Sequence, residues 1–240
     1  MLELRDLVKH YPAVGGETVR AVDGVSLEVQ GGEMVALYGP SGSGKTTLLL
    51  MVATLLAPTS GSVFIGGRDI SSLSEREASN FRLTELGFIR QNFDLLPGVS
   101  AIDNTVLKLL KAMRWRDAQR QVTPLLERLG LGERLHHRSE TLSMGERQRV
   151  MIARALSTEP SMLLADEPTG SLDTGRGREV LELLRSLCRE HGVSVVLVSH
   201  DPMAAEYADR VLALRDGQLS PYQHEQSPPA ASLAASEGWR

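Results

Sequence analysis

The stretch Gly39-Pro40-Ser41-Gly42-Ser43-Gly44-Lys45-Thr46-Thr47 follows the apolar run Met34-Val35-Ala36-Leu37-Tyr38 and precedes Leu48-Leu49-Leu50-Met51-Val52. A short apolar strand, a glycine-rich turn and an apolar helix, in that order, are the setting of a P-loop. Gly39, Gly42 and Gly44 allow backbone conformations that side chains forbid, so successive N–H groups can turn inward around a β-phosphate at a helix N-terminus. Lys45 adds a point charge for the β- and γ-phosphates, Thr46 offers a hydroxyl to Mg²⁺, and Thr47 places a second hydroxyl near the phosphates. An ordinary glycine-rich turn would not require Lys-Thr at this register. Residues 39–47 therefore imply a nucleoside triphosphate site.

Catalytic groups are offered further along. Met162-Leu163-Leu164-Ala165 is a short apolar run that ends in Asp166-Glu167, two carboxylates at the carboxyl end of an expected buried strand. Asp166 is placed to bind Mg²⁺ through water and Glu167 to polarise an attacking water. A second run, Val193-Ser194-Val195-Val196-Leu197-Val198, ends in Ser199-His200-Asp201. Taken singly, Asp166-Glu167 reads as a helix cap and His200 as a surface histidine. In open α/β sheets ligands sit outside the carboxyl ends of the strands, so three such motifs at three strand ends are expected to converge on one crevice.

Composition sets limits. With 240 residues, 42% of them hydrophobic and 23% charged, the chain can bury a sizeable core. No stretch approaches the roughly 18 to 20 consecutive apolar residues of a membrane span, and Met1-Leu2-Glu3-Leu4-Arg5-Asp6 lacks the basic-then-apolar order of a secretory signal. The expectation is a soluble globular chain, so a transport role needs another chain to cross the membrane. A net charge of -4 argues against nucleic acid as a partner. The single cysteine, Cys188, lies on the stripe Val180, Leu181, Leu184, Leu187 and reads as core; one cysteine excludes an intrachain disulfide and a cysteine zinc site.

Leu2 to Val8, Val22 to Gln30 and Val63 to Ile65 read as strands of a small antiparallel β region, followed by a polar helix from Arg76 to about Arg82. From about Asn92 to about Ser157 the pattern turns helical. Between Lys108 and Arg138 this segment carries eight Lys or Arg residues against three carboxylates, read as a solvated basic helix face with contact to a partner or anionic lipid as the alternative. His136-His137 has no companion at metal-ligand spacing and reads as surface loop. Arg210 to Leu219 reads as a hairpin around Asp216-Gly217, and the stretch from Ser220 on, with Ser227-Pro228-Pro229-Ala230-Ala231-Ser232, as a flexible tail.

The chain resembles the nucleotide-binding subunit of ATP-binding-cassette transporters. Leu142-Ser143-Met144-Gly145-Glu146-Arg147-Gln148-Arg149-Val150 stands in the place of that family's signature, with Met144 where glycine is usual and both Ser143 and Gly145 retained. Gln91, after Leu86-Gly87-Phe88-Ile89-Arg90, resembles the Q-loop glutamine, Ser171-Leu172-Asp173 the D-loop, His200 the switch histidine and Tyr11 the aromatic that stacks on adenine. The six motifs occur in the family's order over about Leu2 to Leu219.

The resemblance implies an α/β fold: a RecA-like P-loop NTPase core (about 1–91 and 158–219) with an antiparallel β region and an inserted α-helical signature subdomain (about 92–157), ahead of a tail at 220–240. It implies ATP and Mg²⁺ as cofactors, Glu167, His200 and Gln91 as catalytic groups, and Thr46, Asp166 and Gln91 around the metal. Tyr11, residues 39–47, Ser143, Gly145 and Asp173 would contact nucleotide, the signature doing so across a homodimer or heterodimer interface. The implied partner is an integral membrane permease and the implied place the inner, cytoplasmic face of the cell membrane. Within the family, Asp166 to Asp173 and Phe88 to Pro97 look most like the lipoprotein-release and macrolide-exporter branch. The alternatives are a cell-division-type cassette that works with a membrane partner without transport, a non-transport ATPase of the superfamily, and a module that senses ATP without turnover.

Overall fold

A computed structural model describes residues 1–12, 17–90, 95–170 and 172–222. Leu2, Leu4 and Leu7 are buried on one face of strand β1 (Leu2–Pro12), which pairs antiparallel with β2 (Thr18–Val29) in the register Leu2 to Val29 and Leu4 to Leu27. The register shifts between Leu4 and Leu7, where Asp6 takes a φ of 44°, and that bulge lets Leu7 face the core as well. Strand β1 runs four residues past its expected end at Val8, and β2 starts four residues before its expected start at Val22.

The run at 34–38 forms β3 (Met34–Tyr38), buried at all five positions, and the helix after it is α1 (Lys45–Val52). Strands β4 (Ser60–Ile65) and β5 (Arg68–Asp69) complete an antiparallel sheet of order β2-β1-β4-β5, the region expected from the sequence. The polar helix is α2 (Glu75–Thr84), one residue longer at its start because Ser74 and Glu77 form a reciprocal capping box. It leads into β6 (Leu86–Ile89).

Beyond β6 the described residues are helical: α3 (Ala101–Val106), α4 (Trp115–Arg128) and α5 (Met144–Leu156). Ala118, Val122 and Leu126, four apart, form the buried stripe of α4. The chain then returns through β7 (Met162–Asp166), α6 (Thr174–His191), β8 (Ser194–Val198), α7 (Met203–Tyr207), β9 (Arg210–Arg215) and β10 (Gln218–Pro221). These strands, with β3 and β6, make a six-stranded sheet of order β10-β9-β3-β8-β7-β6, parallel except for the β9/β10 hairpin.

Strand alternation sorts the core into two layers. Met34, Ala36 and Tyr38 of β3 join Leu163, Ala165, Val195 and Leu197 under the helical segment and α6. Val35 and Leu37 join Leu164, Val196 and Val198 against α1 and the antiparallel sheet. A strand buried on both faces reads as an unbroken apolar run, and each such Val or Leu contributes roughly 1.5–3 kcal/mol of burial. The parallel sheet is thereby held between two layers with its strand ends aligned.

Cys188 is buried on α6 as expected, and desolvation pushes its thiol up to about 11. His136 and His137 are exposed, and among the described residues no group of three metal-ligating side chains gathers. The basic face between 108 and 138 is less basic than its count suggests. Lys108 turns inward, its Nζ donating to Leu86 O at 2.7 Å and Thr158 Oγ1 at 3.4 Å, and burial pulls its ammonium down to about 8. Strand β10 runs to Pro221, two residues past the expected end of the hairpin at Leu219. An edge strand tolerates proline because its outward N–H has no ladder partner to lose.

Candidate nucleotide-binding site

Backbone sterics shape the P-loop. Gly44 has a φ of 100°, and a Cβ there would lie 1.9 Å from Ala21 O of β2. A Cβ on Gly39 would lie 2.2 Å from Leu214 O of β9 and 2.6 Å from Ser43 Oγ. The loop is thus seated against both sheets at distances only glycine permits. Helix α1 begins at Lys45 without a side-chain cap, which leaves its first N–H groups for an anion. Lys45 Nζ lies within the loop, donating to Gly39 O and Pro40 O at 2.8 Å each, and burial lowers its ammonium below the usual value while Glu167 and Asp166 oppose the fall.

At the ends of β7 and β8 the carboxylates meet the loop. Thr46 Oγ1 donates to Asp166 Oδ2 at 3.1 Å across 120 residues of sequence. Desolvation raises the Asp166 carboxyl above its usual range, and the Thr46 hydrogen bond offsets part of that rise. One carboxylate and one hydroxyl, with room for phosphate oxygens and water, are the donor set Mg²⁺ takes beside a nucleotide, so these residues fit the ion. Glu167 has a φ of 51°, unusual for a non-glycine residue, and its N–H is fixed by Val198 O at 2.9 Å. Its Oε1 pairs with His200 Nδ1 at 2.8 Å; the carboxylate is nearly enclosed, while the imidazole is exposed.

Ala21, Gly42, Lys45, Thr46, Asp166, Glu167 and His200 line one cleft of about 500 Å³. The three motifs at the ends of β3, β7 and β8 therefore converge as the strand-end argument requires. Tyr11 stands outside this lining, exposed on β1 opposite Val19 of β2. Gln91 and Ser171 lie outside the described residues. Two residues of the site carry no motif in the sequence. Ala21 enters through its carbonyl, and Ser199 is a fully buried serine whose only signal is its place beside His200.

The signature does not reach the cleft. Ser143 caps α5 in a capping box: its Oγ accepts from Glu146 N at 3.3 Å, and Glu146 Oε2 accepts from Ser143 N at 2.7 Å. Arg134 Nε holds the other Glu146 oxygen at 3.0 Å. Met144, at the first helical position, is 50% exposed, so its side chain leaves the helix start open. Gly145 admits Arg176 of α6, whose Cδ lies 3.1 Å from where a Cβ would be. Asp173 caps α6, accepting from Arg176 N at 3.1 Å.

The family model described as ABC transporter matches residues 22–170. The lipoprotein-releasing system ATP-binding protein LolD 2 of Caulobacter vibrioides is 46% identical over 220 residues, 91% of this chain and 96% of that protein. The macrolide export ATP-binding/permease protein MacB of Rhodopirellula baltica is 46% identical over 223 residues, 92% of this chain and 32% of that protein, so the chain spans about a third of that relative's length. Among solved structures, the dimeric post-hydrolysis state of the ATP-binding cassette MJ0796 bound to ADP and Pi is similar with a TM-score of 0.85 at 35% identity, covering 92% of this chain and 98% of that one. A family match over more than half the chain, joined to a relative of nearly the same extent, shows the family: the chain belongs to the ABC transporter family, as one of its ATPase cassettes.

Proposed function

We propose that two copies of such a cassette, alike or different, close around two Mg²⁺-ATP molecules and hydrolyse them to ADP and phosphate to drive an integral membrane permease. The work would be done at the inner face of the cell membrane, in export of lipoproteins or lipids, or of drugs or peptides. The relatives' names support that cargo class. Among the described residues no helix is long and apolar enough to cross a membrane, which suits a peripheral subunit.

The proposed roles join the residues that line the cleft with those the resemblance implies. Residues 39–47 bind the polyphosphate, with Lys45 as its point charge. Thr46 and Asp166 hold Mg²⁺, joined by Gln91. The ion, when bound, neutralises charge on the phosphate oxygens and fixes their orientation. Glu167 orients and polarises the attacking water and receives its proton as oxygen adds to the γ-phosphorus and the bond to the β-phosphate oxygen breaks. His200 steadies the carboxylate and faces the γ-phosphate. Tyr11 stacks on adenine. Ser143, Gly145 and Asp173 belong to the site of the opposite cassette. The helical subdomain, about 92–157, turns on the core about 1–91 and 158–219 as that site closes.

The observation that carries this reading is the separation of the two halves: the P-loop and the Asp166 and Glu167 carboxylates share one cleft, while the Ser143 helix start stands apart from it. Mixing a Ser143→Arg chain with a Lys45→Ala chain tests it. Each variant alone is expected to be inactive, and the mixed dimer to regain one composite site, with Lys45 from the first chain and Ser143 from the second. Demonstrated mixed dimers without recovered phosphate release would refute the arrangement.

A further inference from the structure

We propose that Ser199 is a positioning residue for Glu167: its buried hydroxyl and the His200 imidazole, neighbours in one loop, clamp the two oxygens of that carboxylate. The proposal rests on Glu167 being the group that orients the attacking water. Ser199 is fully buried. Its N–H donates to Leu37 O at 3.2 Å, which ties it to the strand that feeds the P-loop. Its Oγ accepts from Asp201 N at 3.0 Å, so one lone pair is occupied and the hydroxyl proton must point elsewhere. Among the described residues the acceptor that faces it is Glu167 Oε2 at 3.5 Å, while Oε1 belongs to His200 Nδ1 at 2.8 Å.

A contact of 3.5 Å is longer than an ordinary O–H···O hydrogen bond, and catalytic hydrogen bonds in resting enzymes are often long and tighten in the reactive complex. The carboxylate has good reason to need a clamp. Glu167 sits at a φ of 51° on a backbone pinned by Val198 O, so its main chain is fixed while its side chain keeps rotatable bonds. Holding one oxygen leaves rotation about the Oε1 contact; holding both fixes the carboxylate plane, and with it the direction from which a water can be approached. A buried hydroxyl whose donor had no acceptor would also be costly, which gives the Ser199 proton a reason to stay on Oε2.

Single-turnover hydrolysis and steady-state kinetics of Ser199→Ala and Ser199→Thr, each with Glu167 intact and with Glu167→Ala, test the clamp. Loss of one hydrogen bond to a charged group should lower kcat by about 10-fold in Ser199→Ala, with KM for ATP changed less than about 2-fold. Ser199→Thr, which keeps the hydroxyl, should hydrolyse faster than Ser199→Ala. On Glu167→Ala the same serine change should have no further effect, because the group it positions is gone. Equal loss in both backgrounds would assign Ser199 a general packing role and overturn the proposal, as would a Ser199→Thr chain no faster than Ser199→Ala. A Glu167→Ala chain that ran at the wild-type rate would instead remove the water-orienting reading itself, an outcome read from the single variant before Ser199 is changed.

Discussion

The cleft at the strand ends and the start of the signature helix are built by opposite means. In the cleft, partners come from distant parts of the chain: Thr46 meets Asp166, Glu167 meets His200, and Gly44 rests against Ala21 of another sheet. At the signature, Ser143 and Glu146 bond to each other within one helical turn, with Arg134 as the nearest outside support. The first half exists only if the whole sheet is correctly ordered. The second is made almost entirely by four consecutive residues, and its Ser143 and Met144 stay at the surface for something else to meet. A long-range half and a local half suit a site divided between two chains, because the local half can be presented outward without disturbing the core.

The largest break in this contrast is expected from Glu167→Gln. Removing the charge that activates water should slow hydrolysis by about 10²- to 10⁴-fold while leaving ATP binding nearly intact. Bound ATP should then hold two cassettes closed, and a dimer absent without nucleotide should appear by light scattering. Asp166→Asn should behave differently, weakening Mg²⁺-ATP binding and giving little dimer. A Glu167→Gln chain that hydrolyses ATP normally would end the assignment, and one that stays monomeric with ATP would separate catalysis from assembly.

A smaller effect is expected at the rim of the long-range half. Tyr11 lies opposite Val19 of β2 and carries Lys9 Nζ at 5.4 Å from its ring centroid. If it stacks on adenine, Tyr11→Ala should weaken ATP binding by about 1–3 kcal/mol and leave the phosphate contacts unaltered, so tripolyphosphate should compete equally well against both chains. Unchanged affinity in a fluorescent ATP titration would return Tyr11 to an ordinary strand-end tyrosine.

What could be read from the sequence follows the same division. The P-loop, Asp166-Glu167, His200 and the signature are local patterns, each recognisable from a run of a few residues and its apolar flanks. The order β10-β9-β3-β8-β7-β6 is not local: no short window says that β3 lies between β8 and β9. Ser199 is not legible in the sequence, because a serine after an apolar run looks the same whether its hydroxyl meets water or a carboxylate. In the sequence Lys108 belongs to a solvated basic face, because charge counts do not reveal which lysine a carbonyl draws inward. The sequence ends β10 too early because Ser220-Pro221 is turn-like in composition, and only its place at the sheet edge makes it strand.

The smallest effect belongs to the local half. Glu146 closes the capping box, and its carboxyl is held below the ordinary 4.5, chiefly by the Ser143 N–H, with burial opposing and Arg134 adding to the fall. A carboxylate with a depressed folded value stabilises the chain above its unfolded value, and that contribution is lost as pH falls through the folded value. Glu146→Ala should therefore cost about 0.5–2 kcal/mol near neutral pH, the range for a lost N-terminal cap. The gap from wild type should narrow as urea unfolding is repeated at pH values stepping below 4.5, where the wild-type side chain takes up its proton and loses the same interactions. ATP affinity of the isolated cassette should be unchanged, since Glu146 supports only the half that faces outward. A gap that stayed constant with pH would mean that the side chain acts through packing, and an affinity loss would mean that the two halves are coupled within one chain. Either result would weaken the division into a fold-built and a sequence-built half.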